Sequence, residues 1–303
     1  MTADDFNAWS RGQLESVEAA LDRWVPADTP AGLGAAMRYG VLDGGKRLRA
    51  LLVLAACEAS AGSTGAAMRA AVAVELIHAY SLVHDDMPCM DNDQLRRGKP
   101  TVHVAFGEAQ AMLAGDAMQA LAFEVLTPQA ADETDADDHL SPALQAQLVA
   151  LLARAAGHAG MAGGQAIDLA SIGRPLDEAA LRDMHRRKTG ALLQASVLMG
   201  AACGRTDERA WAALADYGAA IGLAFQVVDD ILDLTQDTHT LGKTAGKDLD
   251  HNKPTYVTVL GLDAARRHAE DLRAAAHASL ARSGLAPAAA LALLADRVVE
   301  RQS

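Results

Sequence analysis

The run HAYSLVHDDMPCMD, residues 78–91, closes an apolar stretch that begins at Gly65, and its spacing decides the reading of the fold. Glu75, His78, Leu82 and Asp85 follow one another in steps of three, four and three, which places them on one stripe of a helix. Most other residues there are apolar, so one long helix is expected from Gly65 to Met87. Pro88 then kinks or ends it at the carboxylates, which brings Asp85 and Asp91 to one side more easily than an unbroken helix would.

A second run, FQVVDDILD at 225–233, repeats the theme within an apolar helix expected over Ile221–Leu234. Gln226 and Asp229 are three apart and Asp229 and Asp233 four apart, so they share a face, with Asp230 adjacent. Such residues need a polar or metal partner, because unpaired burial costs several kcal/mol per charge, in order-of-magnitude terms. Carboxylates crowd unfavourably unless something positive fills the gap, and hard oxygen ligands in twos and threes are the usual way to hold Mg2+ with a bound phosphate. Two facing metal sites for one phosphorylated ligand are the expectation; two solvated acidic helix faces are the plainer alternative.

The remaining composition narrows the class. Of 303 residues half are apolar and only 4% aromatic, with Ala- and Leu-rich stretches and few candidate strands, which points to an all-α protein. Cys57, Cys89 and Cys203 are odd in number and widely spaced, so they read as reduced thiols, Cys89 as a packing residue. A net charge of -12 disfavours broad binding to nucleic acid or an anionic membrane. The N-terminal residues lack a signal-peptide core and no run of 18 uninterrupted apolar residues follows, so a cytoplasmic location without stable membrane insertion is expected.

Along the chain, an amphipathic segment from about Asp5 to Trp24 precedes a turn at Pro26–Pro30 and a helix from about Gly32 into Val41. Gly44 and Gly45 break the pattern before Lys46, Arg47 and Arg49 open an apolar helix through Cys57, so basic side chains join the positive end of a helix dipole, where anions bind. Gln129–Pro142 is the candidate mobile surface loop, and Asp237–Pro254 is a Gly- and Lys-rich segment beside the chemistry. Arg96 and Arg97 occur in LRRGKP, Lys188 and Thr189 in HRRKTGALL, and Lys243, Lys247 and Lys253 in GKTAGKDLDHNKP. Each alone is an ordinary surface charge; their recurrence beside Gly, Pro and Asp points to phosphate, for which arginine offers a planar fork and lysine a mobile point charge. His78, two turns before Asp85 on the same stripe, is either a hydrogen-bonded core histidine or a neutral donor to phosphate.

With these residues the chain resembles the trans-isoprenyl diphosphate synthase family, in its bacterial short-chain, farnesyl diphosphate synthase-like branch. The resemblance covers nearly the whole chain in order: GGKRLR at 44–49, Glu75 to His103, GDAM at 115–118, GMAGGQAIDL at 160–169, KTGAL at 188–192, FQVVDDILD at 225–233, and GKTAGKD with KPTY to Tyr256. It implies a single all-α domain over 1–303, with about ten or more helices around a deep central cavity, usually as a homodimer. It implies that Asp85, Asp91 and Asp229 hold three Mg2+ ions on an allylic diphosphate, with Asp86, Asp230 and Asp233 supporting. Isopentenyl diphosphate would lie against Lys46, Arg49, His78 and Arg97. The allylic diphosphate would lie against Arg96, Lys188, Lys243 and Lys253, with Lys247 as a helper. Ionisation of the allylic carbon–oxygen bond, attack by the isopentenyl double bond and proton loss then build the product, with oxygen dipoles of Thr189 and Gln226 turned toward the cation.

In this family an aromatic residue about one turn before the first cluster closes the cavity near fifteen carbons, so Tyr80, with Ser81 beside it, favours farnesyl over geranylgeranyl diphosphate. A non-catalytic regulatory subunit is a weaker alternative, since all six clustered aspartates are kept. Two positions depart from the family pattern: Ala50 and Val257 stand where proline is usual, and the basic tail is matched loosely, through Arg301.

Overall fold

A computed structural model describes residues 1–42, 44–129, 139–174, 176–235 and 255–301. The apolar stretch around residue 78 forms α4 (Thr64–Asp85), started by Ser63, whose hydroxyl accepts the Ala66 amide at 3.1 Å. It ends at Asp85, two residues short of the expected Met87, with Asp86 as its cap. Before it come α1 (Ala3–Trp24), α2 (Leu33–Val41) and α3 (Leu48–Ala59). After it come α5 (Val102–Phe106), α6 (Glu108–Leu126), α7 (Pro142–Ala156), α8 (Met161–Ala170), α9 (Glu178–His185), α10 (Ala191–Ala202) and α11 (Glu208–Thr235). The described chain closes with α12 (Tyr256–Leu260), α13 (Leu262–Ser283) and α14 (Ala289–Glu300).

The architecture turns on α10, whose sequence ALLQASVLMGAA is apolar on every side. Leu192, Ala195 and Met199 pack into a core built mainly on α2, α3, α4, α6 and α7. Leu193, Val197 and Ala201, on its other face, pack into a second core with α1, α3, α11, α13 and α14. So α4 and α11, the two helices that carry the aspartate clusters, flank α10 in different cores. A third, smaller core joins α9, α11, α12 and α13 through Leu181, Val227, Leu232 and Tyr256. Both α4 and α11 are long and apolar enough to cross a membrane by length and composition alone, yet 78% and 56% of their apolar windows are buried inside the protein.

Several local expectations change. The helix expected to open at Lys46 starts at Leu48, because Arg47 takes a left-handed backbone conformation (φ 46°) as its N-cap. Cys57 and Cys203 are buried, but Cys89 is exposed on the turn after α4, so its expected packing role does not hold. Leu140, inside the stretch expected to be a mobile loop, is buried just before α7; residues 130–138 of that stretch lie outside the described residues. LRRGKP makes the two-residue antiparallel ladder β1 (Leu95–Arg96) with β2 (Lys99–Pro100), pairing Leu95 with Pro100 and Arg96 with Lys99. Arg97 and Gly98 form its corner with φ of 53° and 75°, both positive as a tight primed turn requires.

Between α9 and α10, Arg186–Gly190 form a single π-helical turn, and α11 crosses it closely. A Cβ at Gly222 would stand 2.6 Å from the Gly190 Cα, backbone that has no flexible end to move. Gly222→Ala is therefore expected to lower stability by about 1–3 kcal/mol, read as an earlier urea midpoint with unchanged helicity.

Candidate active site

The first cluster is shaped by the turn after α4. The Asp91 amide donates to the Asp85 carbonyl at 2.9 Å and the Asp93 amide to the Asp86 carbonyl at 3.1 Å, folding the chain back so that Asp91 returns beside Asp85. Burial pushes the Asp85 carboxyl up to about 6; Lys188 pulls the other way and Asp91 adds to the rise. Asp86 is different: it is buried, and both its oxygens accept from Arg96, from Nε at 2.9 and 2.8 Å and from Nη2 at 2.5 Å. Arg96, expected to hold a diphosphate, is thus first of all the partner that satisfies the buried Asp86 carboxyl.

The hairpin corner separates the two arginines. Arg97 reaches back to the loop before α3, where a Cβ on Gly44 or Gly45 would stand 2.8 or 2.7 Å from its guanidinium nitrogens. There it joins Arg49 and His78. Burial and the charges of Arg49 and Arg97 hold His78 well below its ordinary pKa, so its imidazole is neutral. Burial, with Arg97 adding and Glu75 opposing, lowers Arg49 to about 10. Burial and the nearby Arg301 lower Lys46, while Asp229 raises it, so Lys46 feels the charges at the second cluster.

Arg47 does not belong to the nest. It is buried, with Nε on Glu18 at 2.7 Å, Nη1 on Glu75 at 3.2 Å and Nη2 on the Val41 carbonyl at 2.5 Å. Glu75 also accepts the Ala50 amide at 3.1 Å, a donor that exists only because residue 50 is not proline.

In the second cluster Asp230 and Asp233 are buried. Asp230 accepts from Gln226 Nε2 at 2.8 Å and from the Tyr256 amide at 2.7 Å, so it ties α11 to α12. Asp229 is the most open, its side chain 37% exposed, with Arg301 Nη2 at 3.4 Å. That guanidinium also donates to the Phe225 carbonyl at 2.6 Å and lies 4.0 Å over the Phe225 ring.

The π-helical turn carries the link between the clusters. Thr189 donates to Gln226 Oε1 at 3.1 Å, and Lys188 Nζ pairs with Asp168 Oδ2 of α8 at 2.6 Å. Burial opposes the charge on Lys188, but Asp168, Asp85 and Asp91 outweigh it and hold its pKa up. Asp168, within GMAGGQAIDL, escapes a reading by clusters; its signal in the sequence is one acidic residue in an otherwise uncharged helix. Tyr80 is buried edge-on to His84, ring centroids 5.7 Å apart, while the Ser81 hydroxyl donates to the His78 carbonyl at 2.8 Å. Lys243, Lys247 and Lys253 lie outside the described residues.

Among the described residues no three His, Cys, Asp or Glu side chains converge as a self-sufficient metal site. The donors nevertheless suit Mg2+, which binds through one or two carboxylates with substrate phosphates completing its shell. Asp85 is half-buried beside Asp91, and a divalent cation would relieve the repulsion between their like-charged oxygens.

The polyprenyl synthetase family model matches residues 30–286. The chain belongs to that family. It is a trans-prenyl diphosphate synthase, similar over 98% of its length to the farnesyl diphosphate synthase of Escherichia coli, 49% identical with 99% of that protein covered. Geranylgeranyl pyrophosphate synthase 9, chloroplastic, of Arabidopsis thaliana is 46% identical over all of the chain and 83% of its own length. The synthase also shares its all-α fold with a solved FPP/GFPP synthase from Zymomonas mobilis, 39% identical with a TM-score of 0.85, covering 98% of this chain and 100% of that one. A geranyltransferase from Helicobacter pylori, solved with magnesium and isoprenyl diphosphate, is 32% identical with a TM-score of 0.81, covering 98% and 97%.

Two outcomes test the site's frame. Glu75→Gln leaves Arg47 buried without its full counter-charge and is expected to cost about 3–5 kcal/mol, measured by urea unfolding. His185 stacks on Tyr256 behind Asp230, and burial pushes its pKa from 6.5 down to about 4. Between those values the unfolded chain takes up a proton that the folded one refuses, so stability falls as pH drops from about 6.5 to about 4. His185→Gln should flatten that slope relative to the parent protein.

Proposed function

We propose that the synthase condenses isopentenyl diphosphate with dimethylallyl or geranyl diphosphate and stops at farnesyl diphosphate, using the whole chain as one catalytic domain. What supports this reading most is the π-helical turn, which sets Lys188 against the first aspartate cluster and, one residue on, Thr189 against Gln226 of the second. Lys46, Arg49, His78 and Arg97 would receive isopentenyl diphosphate: a neutral imidazole among cations can donate to phosphate without adding to their mutual repulsion. Lys188, with Arg96 and with Lys243, Lys247 and Lys253, would receive the allylic diphosphate. Magnesium, three ions per site on this reading, would be held by Asp85, Asp91 and Asp229 with diphosphate oxygens and would neutralise the charge growing on the leaving group.

The allylic cation left behind needs dipoles and no water. Thr189 and Gln226 supply the first, and the apolar faces of α4 and α11 supply the second. The proton lost from the new chain has a base at hand in the departing diphosphate. Tyr80, buried and edge-on to His84, would close the chain-length floor. The geranylgeranyl product is the second reading, favoured by several plant relatives bearing that name at 44–47% identity.

A homodimer fits an exposed apolar face formed by Tyr39, Leu95, Val104, Phe106, Met112 and Leu113 around α2, β1, α5 and α6.

Labelled isopentenyl diphosphate with geranyl diphosphate and Mg2+ should give mainly fifteen-carbon prenols after hydrolysis; a dominant twenty-carbon product would decide for the second reading. Asp85→Ala and Asp229→Ala should each lose turnover by on the order of 10³-fold while far-UV circular dichroism stays unchanged. Tyr80→Ala should lengthen the product.

A further inference from the structure

We infer that Asp168 is a positioning residue for the reaction: it draws the Lys188 ammonium back from Asp85 and Asp91, so that the lysine does not itself take the oxygens a metal would use and is aimed at the leaving diphosphate. This rests on the reading of Lys188 as a diphosphate-binding residue and adds what keeps it in place.

Three observations carry it. First, the Lys188 ammonium lies among three carboxylates, and the one it bonds is Asp168, at 2.6 Å, on α8. A lysine beside Asp85 and Asp91 with no competing partner would settle onto them and occupy the oxygens a metal needs. Second, the Asp168 side chain is 8% exposed and that of Lys188 26%, so the carboxylate is the buried anchor of the pair and the lysine its more open end. Third, α8 is built to reach this lysine. A Cβ on Gly164 would stand 2.1 Å from the Lys188 backbone nitrogen, so helix and π-helical turn touch main chain to main chain. Asp168 follows Gly164 by one helical turn on the same face. One face of α8 therefore supports the lysine's backbone and holds its charge.

The effect on rate follows from geometry. A lysine is a mobile point charge with a long flexible stem, and a side chain fixed before the transition state forms loses less entropy on meeting it. Asp168 keeps that stem in one arrangement while the reacting groups are absent.

The test uses the full-length protein with geranyl and isopentenyl diphosphates, and the variants Asp168→Asn, Asp168→Glu, Lys188→Met and Asp168→Asn/Lys188→Met. Asp168→Asn should lower kcat by about 10- to 100-fold and raise the Mg2+ concentration for half-maximal rate, with Asp168→Glu recovering much of both. Calorimetry with inorganic pyrophosphate and Mg2+ should show weaker binding for Asp168→Asn. In the double variant the loss should equal that of Lys188→Met alone, since Asp168 acts through the lysine. A purely structural Asp168 would lower the melting temperature and leave the Mg2+ midpoint in place, which would overturn the inference; so would losses that multiply in the double variant. If Asp168→Asn does not fold, the double variant, with both charges gone, decides by its pyrophosphate affinity: equal to Lys188→Met supports the inference, weaker overturns it. Full activity of Lys188→Met would instead overturn the reading of the site itself, whereas an inactive Lys188→Met beside an unaffected Asp168→Asn would overturn only this inference.

Discussion

Carboxylates on apolar helices can be kept in a protein interior only if a donor reaches each one, and the rest of this structure is arranged around that constraint. The solutions divide the aspartates by task. Asp86 is fully engaged by the Arg96 fork and Asp230 by Gln226 and the Tyr256 amide, so both hold elements together. Asp85 and Asp91 share the field of one lysine, and Asp229 stays half-open beside Arg301 and Lys46. On the proposed reading these three are the ones that would meet a metal and a diphosphate.

The same logic explains the backbone irregularities. The π-helical turn brings Lys188 into the field of the first cluster and Thr189 to Gln226 of the second, and Gly164, Gly190 and Gly222 let α8 and α11 close on it. The left-handed Arg47 turns one cation inward to Glu75, and the left-handed corner at Arg97 and Gly98 sends successive arginines to different partners. Left-handed backbone also occurs at Ala31, Ala61 and Asn92, so Arg47 and Arg97 are the two positions where such a turn aims a cation.

Much of the site was legible because the helix period is a strong constraint. The three-and-four spacing from Glu75 to Asp85 and from Gln226 to Asp233 fixed which polar residues share a face, and the end of α4 at Asp85 agrees with Pro88 to within a turn. What was not legible is who pairs with whom across the chain. Nothing in LRRGKP says that its first arginine goes to Asp86 and its second to a glycine pair fifty residues earlier in the fold's path. Nor does GMAGGQAIDL say that its aspartate meets a lysine twenty positions on. Cys89 was misjudged for a related reason: an apolar neighbourhood in sequence ends at a turn, and the turn faces outward.

By itself, then, the sequence determined an all-α chain, two carboxylate-bearing apolar helices, the basic motifs and their family, since each follows from local periodicity and residue chemistry. Tertiary structure alone decided that α10 stands between the helices, turning Leu192 to one core and Leu193 to the other. It also decided which aspartates are buried and which are partly exposed, because burial and long-range ion pairs depend on neighbours that no local window contains.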